Sequence, residues 1–208
     1  VNRMLQDAGR NKVYKNLIGI TLGTGFGGGG VRDRELFLGD NGAAAEVWVL
    51  RDKREPVYGV EEGISIRAVK REYARLSGDS REGTPREIFE IAEGNMEGNS
   101  AAAKETFEHA GEVLGEAIAS MNAVVDGIVV IGGGIVAAQK YLMPAVMREL
   151  NGTLSMYEGA PADRMEKKAF FLNDPVDREA FLTPTVKHIV VPGTTDTVEY
   201  DPVKRMGV

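Results

Sequence analysis

The sequence contains no cysteine among its 208 residues. Disulfide bonds and cysteine-ligated zinc are therefore excluded, and a globular chain without disulfides is typical of the reducing cytosol. Long hydrophobic runs are also missing, because the longest, around Gly127–Ala138, is too short to span a bilayer and is broken by three glycines. No positively charged leader followed by an apolar core opens the sequence. These absences predict a soluble cytoplasmic protein without a membrane segment.

Basic residues are in the minority. Lys and Arg number 25 against 31 Asp and Glu, which gives a formal net charge of −6. A surface that binds nucleic acid usually shows a basic excess, so this balance argues against nucleic acid as the main partner. Aromatic residues make up 7% of the chain and hydrophobic residues 43%, which is ordinary for an α/β protein. The length suits one good-sized domain.

Strand and helix signals alternate along the chain. Short β-branched runs predict strands, and apolar residues at helical spacing predict helices. Strands are predicted at Leu17–Leu22, Asp126–Ile131, Lys168–Leu172 and His188–Val191. Helices are predicted at Ile64–Leu76, Pro85–Ala92 behind a Thr84 cap, Ser100–Val125 with Ser100 as its cap, and Ile135–Leu150, with a loop at Asn151–Asp163 and an irregular stretch between the last two strands. This order predicts an α/β sheet.

The first of two glycine clusters follows the strand Leu17–Leu22. Residues Gly23 to Gly28 satisfy the G-x-G-x-x-G spacing of dinucleotide-binding turns. That kind of turn needs a helix to begin near Gly28, whereas the glycines here continue to Gly30 and into Val31–Leu38, which is predicted as the turn and return strand of a hairpin. A dinucleotide site, as in an oxidoreductase, is therefore the weaker alternative.

Glycines in a hairpin turn let backbone N–H groups approach phosphate oxygens, because no Cβ holds the ligand away. A threonine within the turn adds a hydroxyl donor. The residues predicted to cradle phosphates are Gly23, Thr24, Gly25, Gly27 and Gly28. The alternative is a structural glycine-rich hairpin without a ligand.

The second cluster, Gly132, Gly133 and Gly134, lies between the apolar strand Asp126–Ile131 and the helix Ile135–Leu150. A helix N-terminus with bare backbone suits an anionic or polar ligand. The alternative is that the glycines only allow close packing of the strand on the helix. Two glycine turns in one chain favour a single nucleotide approached from two sides.

Three blocks in register resemble the ROK family, named for repressors, open reading frames and kinases. They are Leu22–Gly30 (LGTGFGGGG), Gly39–Glu46 (GDNGAAAE) and Ile128–Ile135 (IVVIGGGI). The family includes bacterial glucokinases, fructokinases and N-acetylhexosamine kinases. The resemblance implies an actin-like ATPase (ribonuclease H-like) α/β domain with a mixed sheet flanked by helices. It also implies that the first block is a phosphate loop and that Gly132–Gly134 border the adenosine.

The resemblance further implies the residues that hold the sugar. Glu46, with Asn41 before it, stands where the family has a glutamate that binds sugar hydroxyls. Glu61 lies four residues before Ser65, which is the spacing of the second sugar-contacting glutamate. Val49 stands where many members have a histidine, which leaves the sugar preference open. The alternative for both glutamates is a solvated surface charge.

Zinc and the catalytic base are both missing from the pattern. Arg51–Gly59 replaces the cysteine-rich zinc loop and resembles a zinc-less branch of the family, and His109 and His188 lie elsewhere, so no zinc is expected. Val1-Asn2 resembles the end of the family's Asn-Asp-x-Asn segment, which places the catalytic aspartate immediately before Val1. The chain is thus expected to be most of the C-terminal nucleotide- and sugar-binding lobe. The N-terminal lobe and a final helix after Tyr200–Val208 are expected to be absent, and the chain alone to be inactive.

The function implied is that of an ATP-dependent sugar kinase. With Mg²⁺, it would transfer the γ-phosphoryl group of ATP to a hydroxyl of a hexose or N-acylated hexosamine, and it would act as a cytoplasmic homodimer. A sugar-sensing transcriptional regulator of the same family is the main alternative. That reading requires a helix-turn-helix domain upstream of these residues.

Overall fold

The computed structural model describes residues 1–79 and 83–208 as a mixed α/β fold. The helices are α1 (Asn2–Asp7), α2 (Glu61–Ile64), α3 (Ile66–Ser77), α4 (Pro85–Glu93), α5 (Ser100–Val125), α6 (Gln139–Leu150) and α7 (Pro175–Leu182). The strands are β1 (Leu17–Leu22), β2 (Phe26–Arg32), β3 (Glu35–Phe37), β4 (Ile128–Gly132), β5 (Thr153–Leu154), β6 (Ala162–Asp163), β7 (Lys168–Phe170), β8 (Lys187–Val190), β9 (Thr197–Tyr200) and β10 (Arg205–Gly207). Short 3-10 helices lie at Val47–Val49 and Gly134–Ala138.

The main sheet has four strands in the order β3-β2-β1-β4. β1 runs antiparallel to β2, with Leu22 opposite Phe26, and parallel to β4, with Thr21 opposite Gly132. Alternate residues of β1, from Ile18 to Leu22, are buried because every second side chain of a strand points to the same face. The sheet is therefore mixed and has helices packed on it, which confirms the predicted fold class.

The long helix α5 is the centre of the helical layer, and α3, α4 and α6 pack against it. Its side chains Phe107, Leu114 and Ile118 are fully buried in the core that also contains β1 and β4. α6 comes close to α5 because Gly111 has no side chain, and a Cβ at that position would lie only 2.8 Å from the Cβ of Ala145. Within residues 1–79 and 83–208, no helix has the length and apolarity needed to cross a membrane.

The glycine run is itself a strand, which the sequence pattern did not predict, whereas the turn and return strand predicted within Val31–Leu38 are present as Asp33-Arg34 and β3. β2 extends from Phe26 through the four following glycines to Arg32 and pairs along its whole length with β1. The chain then turns at Asp33 and Arg34, both at positive φ, into the edge strand β3. β2 replaces the helix that a dinucleotide-binding turn would begin near Gly28, and this excludes that alternative.

Helix caps agree with the sequence at α4 and differ at α5. Thr84 accepts the N–H of Glu87 while the Glu87 carboxylate accepts the Thr84 N–H, which forms the capping box expected before α4. The cap of α5 is Asn99, whose side-chain oxygen accepts the N–H of Ala102 at 3.1 Å. Ser100, predicted to be the cap, instead donates its hydroxyl to the carbonyl of Ala92.

Several shorter elements differ from the prediction. The helix expected from Ile135 begins as the 3-10 helix Gly134–Ala138 and becomes α-helical only at Gln139. The predicted loop Asn151–Asp163 contains the small antiparallel pair β5 and β6. The stretch predicted to be irregular contains α7, where Asp174 accepts the N–H groups of the first turn and Pro175 occupies the first helical position.

The C-terminal region adds two small two-stranded sheets. β10 runs parallel to β7, next to a small core in which Phe170 and Phe181 pack edge to face. β8 and β9 form a separate antiparallel hairpin, with Ile189 opposite Val198, and every residue of both strands is exposed. This hairpin lies outside the described hydrophobic cores.

Candidate functional site

The turn between β1 and β2 presents bare backbone to the solvent. The Gly23 N–H donates to the carbonyl of Gly25 at 3.1 Å, which closes a turn of three residues. Thr24, at its tip, is exposed, and no heavy atom lies within 4 Å of the place where a Gly23 Cβ would be. The hydroxyl of Thr24 and the space beside Gly23 are therefore open to a ligand.

The two glycine turns lie side by side. Since β1 and β4 are parallel neighbours, Gly23 and Gly133 both follow the carboxyl ends of adjacent strands. Gly133 has φ +99° and ψ 169°, a backbone conformation that is essentially restricted to glycine. A Cβ at Gly133 would also clash with the backbone of Leu22. Gly134 has open space around it, so the second turn presents free backbone beside the first.

Gly27 and Gly28 lie on β2, beyond the turn. A Cβ at Gly27 would lie 2.6 Å from the Thr21 hydroxyl, and one at Gly28 would lie 2.6 Å from a Val47 methyl and 2.9 Å from the Ala45 carbonyl oxygen. Protein atoms thus occupy the space in which their side chains would stand. The predicted contact of these two glycines with phosphate stays a prediction, and close packing is a separate reason for glycine at both positions.

Glu61 lies against the first turn. Its Oε2 accepts the N–H of Phe26 at 2.9 Å, and a Cβ at Gly25 would lie 2.5 Å from the same oxygen. Its Oε1 accepts from the Arg67 guanidinium at 2.6 Å. The Phe26 N–H first, and then Arg67, lower the pKa of the Glu61 carboxyl below its ordinary value. Glu61 is therefore an ionised and oriented carboxylate at the edge of the first glycine turn, in place of a freely solvated charge.

Arginines of α3 extend this contact into a network. Arg67 also pairs with Glu62, and Arg71 holds both the carboxylate and the backbone carbonyl of Glu62. The N–H of Ile66, the first residue of α3, donates to the Gly23 carbonyl at 2.9 Å. The N-terminal end of α3 is thereby fixed next to the first glycine turn. The partial positive charge of this helix end favours anions there.

The loop that carries Asn41 and Glu46 packs on β2. Asn41 is exposed in a turn whose flanking Gly39 and Gly42 both have positive φ. Ala45 also has a positive φ, +62°, which is uncommon for a residue with a side chain. The strained backbone at Ala45 directs the following residue, Glu46, outward, where its Oε2 accepts from the indole N–H of Trp48 at 2.8 Å.

The segments that carry the two candidate carboxylates contact the same strand. The Glu61 side chain contacts β2 at Phe26, and the segment next to Glu46 contacts β2 at Gly28. These two positions are two residues apart, about 7 Å along a strand. The structure therefore places the Glu61 side chain and the segment next to Glu46 against nearby positions of β2. Asn41 belongs to the same loop as Glu46.

The site is an open surface at one edge of the sheet. A cavity of about 890 Å³ is lined in part by Lys15, Asn16 and Asp126, which precede β1 and β4, and so it lies at the opposite end of these strands. The histidines are also away from the glycine turns. His109 bonds to Glu72 between helices, and His188 pairs with Glu199 on the exposed hairpin.

Mg²⁺ fits this site only together with a nucleotide. Within the part of the chain that the structure describes, no group of three or more His, Cys, Asp or Glu residues is arranged to hold a metal ion. Mg²⁺ commonly keeps several waters and binds through nucleotide phosphates with few protein ligands. The open turn at Gly23 to Gly25 would accept such phosphates. The expectation that no zinc binds stays a prediction.

Arg67 is the functional candidate that sequence reasoning missed. The acidic pair Glu61-Glu62 followed by Arg67 and Arg71 is visible in the sequence. The pairing of Arg67 with Glu61 could not be assigned from the sequence, because the chain changes direction at Ser65, between α2 and α3. The backbone N–H of Phe26, the other partner of Glu61, carries no sequence signal.

Comparison with known proteins gives one family and a set of related folds. The sequence profile of the ROK family matches residues 6–173. The structure of a glucokinase from Parabacteroides distasonis is 47% identical, with a TM-score of 0.87 over 99% of this chain and 56% of that chain. This chain therefore spans little more than half the length of that relative. A comparison with curated proteins gave no match.

Two more distant structures share the fold. A ROK family glucokinase from Streptomyces griseus, in complex with glucose and AMPPNP, is 20% identical, with a TM-score of 0.53 over 78% of this chain and 61% of that chain. A ROK family transcriptional regulator, a homolog of the E. coli MLC protein, is 22% identical, with a TM-score of 0.56 over 71% and 41%.

Proposed function

The chain belongs to the ROK family and has its actin-like ATPase fold, and on this premise we propose that the protein is an ATP-dependent sugar kinase. It would transfer the γ-phosphoryl group of ATP to a hydroxyl of a hexose, with glucose as the first candidate, or of an N-acylated hexosamine. The 47% identity to a glucokinase over nearly the whole chain supports a kinase that acts on a glucose-like sugar.

One observation carries the proposal: two glycine turns follow the carboxyl ends of adjacent parallel strands, and the segments of Glu46 and Glu61 both contact β2 beside the first turn. The backbone of Gly23, Thr24 and Gly25 would bind the phosphates, and Gly27 and Gly28 would continue that loop. Gly132, Gly133 and Gly134 would border the adenosine. Glu46 and Glu61 would accept hydrogen bonds from sugar hydroxyls, since a carboxylate is an acceptor only, and the Asn41 amide would donate to or accept from another hydroxyl.

The chemistry requires that a sugar hydroxyl oxygen form a bond to the γ-phosphorus while the bond to the β-phosphate oxygen breaks. The hydroxyl proton passes to a base, which we propose to be an aspartate immediately upstream of Val1. Positioning and charge stabilisation carry most of the catalysis in such transfers, and Mg²⁺ held by the phosphates would supply part of that stabilisation. This chain would supply the nucleotide and sugar walls of the C-terminal lobe and would be inactive without the remainder.

A transcriptional regulator is the second candidate, because a regulator of the family has the same fold at 22% identity. The greater identity to a glucokinase favours the kinase. The sequence upstream of Val1 separates the two: an Asp-x-Gly-x-Thr loop and the Asn-Asp-x-Asn segment support the kinase, and a basic helix-turn-helix domain supports the regulator. We also propose that the protein is a cytoplasmic homodimer. Light scattering of the purified protein would check the dimer.

The test is a coupled ADP-release assay on the full-length protein with Mg²⁺-ATP and a panel of hexoses and N-acylhexosamines. We expect sugar-dependent ADP release with at least one member. A folded protein that binds ATP and releases no ADP with any sugar would contradict the kinase. Sugar binding without turnover, together with specific DNA binding, would establish the regulator in its place.

A further inference from the structure

Residues Glu61 to Ile66 contact both ends of the turn at Gly23 to Gly25, which we call the phosphate turn after its proposed role. The carbonyl of Gly23, where the turn begins, accepts the N–H of Ile66 at 2.9 Å. The N–H of Phe26, where the turn ends, donates to Oε2 of Glu61 at 2.9 Å. Any displacement of the Glu61 carboxylate therefore changes a hydrogen bond of the loop that would bind the nucleotide.

The Glu61 carboxylate is held on its other side by Arg67. The guanidinium donates to Oε1 at 2.6 Å and at the same time bonds to Glu62. Glu61 cannot rotate toward a ligand without breaking either this ion pair or the bond to Phe26. Its side chain is 23% exposed, so part of it remains accessible from outside.

Both oxygens keep acceptor capacity. An ionised carboxylate offers about four acceptor positions, and Phe26 and Arg67 occupy one on each oxygen. A sugar hydroxyl can therefore bond to Glu61 while the contacts to the turn and to Arg67 persist. One carboxylate would then be shared by the sugar, the phosphate turn and the arginine.

We propose that Glu61 couples sugar binding to the phosphate turn, and that Arg67 is the positioning residue that holds the carboxylate in the coupling geometry. This inference rests on the proposed kinase function and adds to it. A sugar bound at Glu61 fixes the carboxylate and, through the Phe26 N–H, the turn, so that ATP binds to a turn already in its bound conformation. By thermodynamic reciprocity the nucleotide raises the affinity for the sugar by the same factor.

The experiment measures this factor by calorimetry on the full-length protein. The Kd of AMPPNP is determined with and without the sugar that the ADP-release assay identifies, and the Kd of that sugar with and without AMPPNP. We expect each ligand to lower the Kd of the other by the same factor, of roughly fivefold or more. In Arg67→Met, which keeps the length of the side chain and removes its charge, this factor should fall below about twofold.

Three variants complete the design. Arg67→Lys should restore part of the coupling, because a single cation can still reach the Glu61 carboxylate. Glu61→Gln should lose it, because an amide pairs only weakly with Arg67. Arg75→Met is the matched control: it removes an arginine of the same helix that pairs with Glu72, and its coupling factor should equal that of the unchanged protein.

The outcomes separate this inference from the proposed function. If sugar is phosphorylated and both ligands bind, but Arg67→Met and Glu61→Gln keep the original coupling factor while remaining folded by circular dichroism, the inference is overturned and the kinase stands. A coupling factor of one in the unchanged protein would also overturn the inference and leave the kinase proposal standing. If the protein binds neither ligand, both proposals fail.

Discussion

At the scale of single residues, Gly133 brings the second glycine turn against the backbone of Leu22, the residue before the first turn. Its φ and ψ lie in a region that residues with a side chain essentially do not adopt, and a Cβ would clash with Leu22. We expect Gly133→Ala to lower the free energy of unfolding by about 2–4 kcal/mol and to weaken nucleotide binding. Urea unfolding and AMPPNP titration measure both effects.

The matched control for that substitution is Gly134→Ala. Gly134 has no heavy atom within 4 Å of its Cβ position and no positive φ. The free energy of unfolding of Gly134→Ala should stay within about 0.5 kcal/mol of that of the parent protein. Equal stabilities for the two variants would contradict the proposed role of Gly133 in close approach.

Glu46 offers a second test at this scale, because its carboxylate is exposed and bonds to Trp48 at its own surface. Loss of a charged hydrogen bond to a sugar hydroxyl should raise the sugar Kd of Glu46→Gln by roughly 10- to 100-fold, with the AMPPNP Kd nearly unchanged. Calorimetry measures both. Glu35→Gln, at an exposed carboxylate on β3, is the control. Parallel loss of both affinities would mean that Glu46 is structural.

At the scale of secondary-structure elements, Glu72 links α3 to α5 through His109 at 2.5 Å. The hydrogen bond from Arg75 is the largest influence, and together with His109 it outweighs burial and lowers the pKa of Glu72 from 4.5 to about 2. A carboxyl whose pKa is lower in the folded state stabilises the fold above pH 4.5. That stabilisation is lost progressively as the pH falls from about 4.5 toward 2.

Glu72→Gln removes this contribution. We expect the variant to be less stable than the parent at pH 6 and the difference to shrink as the pH falls toward 2, as measured by urea unfolding at successive pH values. Glu105→Gln, which changes a more exposed carboxylate 3.5 Å from the same histidine, is the control and should follow the parent curve more closely. A difference independent of pH would contradict the assignment.

Elements with a strong local pattern could be predicted from the sequence. β1 and α5 have the bounds that their apolar spacing indicates, and Thr84 caps α4 as expected. β2 could not be predicted, because its four glycines have no β-propensity. They are extended because they pair with β1, and at Gly28 the side chain of Val47 packs where a Cβ would stand. α7 was missed although Asp174-Pro175 is a helix-start signal.

The candidate site was predictable as far as the chain order reveals it. Adjacency of the turns at Gly23 and Gly133 follows once two apolar strands are expected to pair in parallel. The contact of Glu61 with Phe26 and Arg67 depends on tertiary packing of α2 and α3 against β1 and β2, which local spacing does not encode. The role of Gly28 in admitting Val47 has the same origin.

At the scale of the whole molecule, the structure has a densely packed part and an exposed one. α5 has fully buried side chains along its length, whereas every residue of the strands β8 and β9 is exposed. A two-stranded hairpin alone is marginally stable. We expect the amides of Lys187–Val190 to exchange with deuterium near the unprotected rate and those in the middle of α5 to exchange last, by mass spectrometry. Protection of the hairpin equal to that of α5 would mean that another surface covers it.

The parallel pairing of β1 with β4 also sets an order of events during synthesis. Leu17 pairs with Ile128, and the nucleotide side of the site exists only when these distant strands have met. A ribosome that adds about 5–20 residues each second needs on the order of 5–20 s between them. During that interval the glycine-rich hairpin has left the exit tunnel without its partner strand, and its open edge is available to chaperones. A nascent chain arrested before β4 should therefore be unable to bind nucleotide.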